Sequence, residues 1–158
     1  MRLIFPVALL LCTALSLQAQ SNRYVAPGGD NSAAGSESAP WQTVAFAARR
    51  AEPGDSILVR AGRYREAVII TRSGRESAPI VLIGYPGEEA ILDGAGLDLP
   101  DGQGVLSVLS AAHIVVEGIR IENSGSELNN GGILVQESNN VRISRCHTFN
   151  TRSSGIGV

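Results

Sequence analysis

The apolar residues between His113 and Val158 recur at a nearly fixed interval, and this interval constrains the fold more than any other feature of the chain. Ile114 and Val141, Val116 and Ile143, Ile119 and Cys146, and Asn123 and Asn150 are each 27 residues apart. Ile133 with Ile156 and Val135 with Val158 are 23 apart, so the loop between Asn123 and Gly131 accounts for the difference. Self-similarity at a period of about 20 to 50 residues marks a solenoid, in which each repeat buries its apolar face only against its neighbours.

Parity within the repeat identifies the kind of solenoid. The apolar phase runs through Ile114 and Val116 and then through Ile119 and Ile121, slipping by one at Glu117-Gly118. A continuous strand keeps its period of two. A corner whose two arms both point apolar residues inward accounts for the slip, and the next repeat does the same at Ser144-Arg145. Two strands meeting at a corner, then an Asn, a polar turn and a third strand opening on Gly, describe one three-stranded coil of a parallel β-helix.

Upstream the texture agrees. Short β-branched runs at Ile57–Val59, Ala67–Ile70, Ile80–Ile83 and Ala90–Leu92 alternate with Gly-, Ser- and Pro-rich turns. Trp41, Val44, Ala45 and Ala48 instead lie at helical spacing, with Ser38 placed to cap, Pro40 tolerated in the first turn and Pro53-Gly54-Asp55 as a stop. This predicts one amphipathic helix over residues 41–51, of roughly three turns, whose apolar stripe must be covered.

Met1-Arg2, the apolar run Leu3–Leu17 and Ala19 have the form of a secretory signal peptide over residues 1–19. The expected division is therefore residues 1–19 signal, 20–55 strand, loop and capping helix, and 56–158 about four β-helix coils. Cys12 would leave with the signal, and Leu11 before it argues against lipid attachment. Cys146 alone then remains, so packing rather than disulfides must hold the fold. The formal charge is −2, and all 13 basic residues are Arg. A chain with no basic excess has no general attraction for nucleic acid, and once the signal is removed nothing in it reads as membrane-spanning.

The stretches YVAPGGDNSAAGSESAPWQTV, AEPGDSILVRAGRYREAVII and SAPIVLIGYPGEEAILDGAG resemble the opening segment of secreted right-handed parallel β-helix proteins of the pectate-lyase-like superfamily, including pectate lyases and the chondroitinase B and alginate lyase group. The resemblance covers Arg23 to Val158. It implies an all-β solenoid with an N-terminal capping helix, a secreted or periplasmic location, and an acidic polysaccharide as partner. It also implies β-elimination, with calcium or basic side chains neutralising the sugar carboxylate and Lys or Arg as base. With no Lys, a Lys-based site cannot exist in this chain, and an Arg side chain loses its proton only above about pH 12.

Among the residues present, Arg120 with His147 and Val115 with Arg142 stack at the 27-residue interval, with Arg145 at the adjoining corner. They are expected either as a short cationic stripe suited to sugar carboxylates or as solvated arginines on a sheet face. Asp93, Asp98 and Asp101 offer oxygen ligands for calcium or ordinary turn chemistry beside glycine. Asn123 and Asn150 fall at equivalent turns and are expected to form a structural ladder. Val158 stops on a strand in mid-coil, so the expectation is the N-terminal part of a polysaccharide-lyase-like protein, inactive alone and prone to self-association through its last coil. A non-catalytic carbohydrate-binding or structural β-helix module is the alternative.

Overall fold

The computed structural model describes residues 21–125 and 127–158, so the expected signal peptide and Cys12 lie outside the described residues. Among these residues thirteen strands form three parallel sheets that wind as a right-handed β-helix. The first sheet orders β1 (Ser21–Val25), β2 (Asp55–Val59), β5 (Ile80–Gly84), β8 (Ala112–Glu117) and β11 (Asn139–Ser144). The second contains β3 (Gly62–Tyr64), β6 (Ala90–Asp93), β9 (Ile119–Glu122) and β12 (His147–Phe149). The third contains β4 (Val68–Ile70), β7 (Leu106–Leu109), β10 (Ile133–Gln136) and β13 (Ile156–Gly157). Each coil visits the three sheets in turn, and each strand pairs with its counterpart in the next coil.

The register is the one the repeat demands. Val141 pairs with Ile114, Ile143 with Val116 and Ile156 with Ile133. Two strands escape the sequence reading: β7, in a Leu-Ser-Val-Leu run without polar alternation, and β3, which begins at a turn glycine. Inward side chains stack in columns such as Ile57, Leu82, Val116 and Ile143. The first three are at most 1% exposed, whereas Ile143 in the last coil is only partly buried. Each fully buried Ile, Leu or Val contributes about 1.5–3 kcal/mol.

The corners share one backbone device. Ser110 and Glu137, His113 and Asn140, Asn123 and Asn150, and Gly118 and Arg145 are pairs 27 residues apart, and all eight have φ between 48° and 63°. This left-handed conformation turns the chain sharply and costs non-glycine residues about 1–2 kcal/mol. His113 is thus a corner residue.

The helix α1 (Val44–Arg50) buries Val44, Ala47 and Ala48 over the first coil, but it is shorter than predicted. Its cap is Thr43, whose hydroxyl accepts from Phe46 N at 3.3 Å, rather than Ser38. Trp41 bridges to Val25 instead of opening the helix, and its indole donates to Ala33 O at 2.9 Å. The remaining N–H groups of the first turn find a partner outside the helix. Glu66 from the turn before β4 accepts from Val44 N at 2.8 Å and Ala45 N at 2.9 Å. No helix among the described residues is long and apolar enough to cross a membrane.

Candidate carbohydrate-binding face

The outward side of the second sheet carries two charged columns. One runs Arg63, Ile91, Arg120 and His147; the other includes Asp93, Glu122 and Phe149. Parallel in-register pairing brings these residues together although they are scattered along the sequence. Arg63 Nη1 donates to Asp93 Oδ2 at 2.9 Å and to Glu122 Oε2 at 2.8 Å, joining three consecutive coils. Arg120 Nε donates to Glu122 Oε1 at 2.6 Å, and Arg120 Nη1 reaches Glu89 at 3.4 Å. Burial pushes the Asp93 carboxyl up, but hydrogen bonds from Asn123, Ala95 N and Arg63 outweigh it and hold Asp93 below the usual carboxylate range. Hydrogen bonding from Arg63, with a smaller contribution from Arg120, likewise holds Glu122 down.

The sheet ends in a turn at which Asn150 Nδ2 donates to Asn123 Oδ1 at 2.6 Å and Asn123 Nδ2 donates to Asp93 Oδ1 at 2.7 Å. The three residues form a continuous chain of amide and carboxylate across three coils. Gly94 permits it, because a Cβ there would overlap Asn123 O. Beyond the turn opens a cleft of about 770 Å³, bounded on one side by Gly94–Asp98 and on the other by Asn123, Gly125, Asn150, Thr151 and Arg152. Arg152 N donates to Ser124 Oγ at 2.6 Å, which fixes the backbone, while its guanidinium has no ion-pair partner among the described residues.

The predicted site residues separate under this geometry. Arg120 and His147 do stack on the second sheet, but Arg142, in register with Val115, belongs to the first sheet and faces a different side. Arg145, at the corner between them, is tied to Glu117. The four therefore do not form one cationic stripe. Arg120 and Arg145 are neutralised by carboxylates, and the sheet corner divides the rest.

The three aspartates also diverge. Asp93 is 3% exposed, with both oxygens engaged. Asp101 accepts from Asn129 at 2.9 Å, and Asp98 lines the cleft. No three carboxylate, imidazole or thiol groups among the described residues converge as a metal-holding set. Cys146 contacts Val116 O and Ser144 O, and burial pushes its thiol up. Sequence reasoning missed Arg63, Glu122, Phe149 and Arg152. The signal for Phe149 and Glu122 was present, since they too are 27 residues apart.

The chain is 34% identical over 148 residues to the pectate lyase PEL9 of Emericella nidulans, covering 84% of this chain and 34% of that protein. It is 28% identical over 119 residues to the uncharacterized protein YwoF of Bacillus subtilis, covering 73% of this chain and 25% of YwoF. The chain thus spans a quarter to a third of the length of these relatives. Among solved structures, a rhamnogalacturonan lyase superposes with a TM-score of 0.71 at 15% identity, over 82% of this chain and 36% of that one. Pectate lyase Pel9A superposes at 0.64 with 22% identity, over 84% and 35%. These two likenesses concern the fold. The profile of the Pel9A-like right-handed β-helix region matches residues 23–158, and the chain belongs to that family.

Proposed function

We propose that the chain is part of a secreted protein that binds or processes acidic polysaccharide in a polysaccharide-lyase-like manner, and that the cleft beside the Asn123–Asn150 turn receives the glycan. The observation that carries this reading is Arg152. It lines a polar cleft and has no ion-pair partner among the described residues, beside a sheet face whose Arg63 and Arg120 are paired. A planar guanidinium with free N–H edges matches a uronate carboxylate bidentately. The relationship to a pectate lyase supports the choice of a uronate polymer, and the apolar run after Met1-Arg2 supports secretion.

The second reading is a non-catalytic β-helix module, favoured by the absence of Lys and by the pairing of Arg63, Arg120 and Arg145 with acids. An Arg held by a carboxylate is further from acting as a base than a free one, because the ion pair stabilises its charged form. One assay separates the readings for this chain. Unsaturated-uronate absorbance is followed on pectate, alginate and chondroitin, with and without added calcium, alongside binding of the same polymers. Binding without turnover is expected. Turnover would place a base within these residues and refute their assignment to binding alone; failure to bind any of the three polymers would remove the polysaccharide reading.

A further inference from the structure

The charges of the chain are unevenly divided. Residues 21–79, the cap and first coil, hold eight arginines against six acids, and residues 80–158 hold four against nine. Cross-coil pairing takes up part of this difference, because Arg60 is held by Glu88 and Arg63 by Asp93 and Glu122. Two arginines at the capped end are left over. Arg23 and Arg50 rest on aromatic rings and have no ion-pair partner among the described residues.

Arg23 is in register with Ile57, so it heads the inward column of Ile57, Leu82, Val116 and Ile143. A cation at such a position needs a partner or water. This end of the solenoid is closed, by α1 and by Trp41, which is 7% exposed, so the position of Arg23 belongs to the cap. Its guanidinium lies 5.8 Å from the Trp41 centroid, Trp41 meets Phe46 edge-on at 5.4 Å, and the Arg50 guanidinium lies 5.0 Å from the Phe46 centroid. One aromatic pair therefore carries two cations. Both line a cleft of about 540 Å³, together with Asn31, Ser32, Glu52 and Asp55.

The walls of this cleft are tied in place. Asn31 Oδ1 accepts from Gln42 N at 2.9 Å and Thr43 N at 3.1 Å, and the Trp41 indole donates to Ala33 O at 2.9 Å. Glu52 N donates to Asp55 Oδ2 at 2.9 Å. A preformed site spends little on ordering itself around a ligand. The mixture of charges selects the ligand. An inorganic anion would satisfy the guanidiniums but meet Glu52 and Asp55 as like charges, and a neutral sugar would leave the guanidiniums unmatched. A uronate offers a carboxylate to arginine and hydroxyl donors to the acids.

We propose that the cleft between the 31–34 loop, α1 and the start of β2 is a second anionic-sugar subsite, in which Arg23 and Arg50 hold the carboxylate of one uronate unit. This rests on the polysaccharide reading above and adds a site at the opposite end of the solenoid from Arg152. Trp41 is the only tryptophan in the chain, so its emission reports on this cleft. The 158-residue chain is titrated with trigalacturonate, with maltotriose and sodium sulfate at matched ionic strength as controls, while calorimetry on pectate measures binding as a whole. Trigalacturonate is expected to shift Trp41 emission, and neither control should. Arg50→Gln and Arg23→Gln are each expected to raise the concentration needed for the shift about tenfold, the scale of one charge-assisted contact. Arg49→Gln, which removes the same charge outside the lining, and Arg152→Ala should leave the shift unchanged. Because Arg50 is exposed, its variant should melt near the parent. A lower melting temperature with an unchanged emission response would make it only a cation at the helix end and refute the subsite. An equal response to sulfate or maltotriose would refute it too. If pectate binds but trigalacturonate leaves the emission unmoved, the subsite is refuted and the polysaccharide reading stands; if neither binds, both fall.

Discussion

Arg63 is the residue on which the outer face of the second sheet depends. It comes from the first coil and satisfies carboxylates in the second and third. Because Arg63 is 46% exposed whereas Asp93 is 3% exposed, the cost of removing it falls on the buried acid. Arg63→Met is expected to lower the midpoint of denaturant unfolding, because it leaves the buried Asp93 carboxylate without its cationic donor. The same network sets an acid limit. Asp93 and Glu122 have folded-state values below their unfolded ones near 4, so their contribution is complete above that range and is lost as pH falls through the folded values. Glu66 acts oppositely. Burial raises it, only partly countered by the N–H groups of Ala45 and Val44, so its contribution is present at low pH and declines as pH rises through its folded value. The melting temperature should therefore drop on acidification below about pH 4, and Arg63→Met should lessen that drop. An unchanged acid profile in the variant would detach the network from acid stability.

At the scale of the element, corners and caps matter more than strand propensity. Asn123, with φ of 57°, both turns the chain and joins Asp93 to Asn150. Asn123→Ala loses the amide and places Ala in a conformation it disfavours. Asn123→Gly loses only the amide. Both should destabilise, the Ala variant by about 1 kcal/mol more, and equal losses would mean that the backbone conformation is not a cost here. His113 has φ of 56° and stands where the next coil has Asn140. His113→Asn is expected to stabilise slightly, since the short amide of Asn can hydrogen-bond locally in the left-handed region; a lower melting temperature would count against it. At the other end, Thr43 and Glu66 share the helix N-terminus between them. That explains why a helix of seven residues holds where the sequence called for a longer one.

At the scale of the whole molecule, stability is a sum over stacked coils, each coupled mainly to its neighbours. The burial gradient along a column gives this a measurable form. Ile114 is fully buried between Ile80 and Val141, while Ile143 in the last coil is only partly covered. Ile114→Val should cost about 1 kcal/mol and Ile143→Val clearly less. Among the described residues β11, β12 and β13 are the last strands of their sheets, and Ile156 is 45% exposed.

The sequence by itself determined the coil, because an inward phase that slips at Glu117-Gly118 and again 27 residues later has few geometric solutions, and because each repeat is built from contacts between equivalent positions. It also placed Asn123 over Asn150. Tertiary structure decided what the charges do. Arg120, Arg142 and Arg145 look alike in a sequence, but ion pairing depends on acids supplied by other coils and on which side of a corner each residue falls. Glu66 could not be assigned to the helix it caps from a position more than twenty residues away. Periodicity encodes which residues share a face; only the wound chain fixes the cross-coil partners that neutralise Arg63, Arg120 and Arg145.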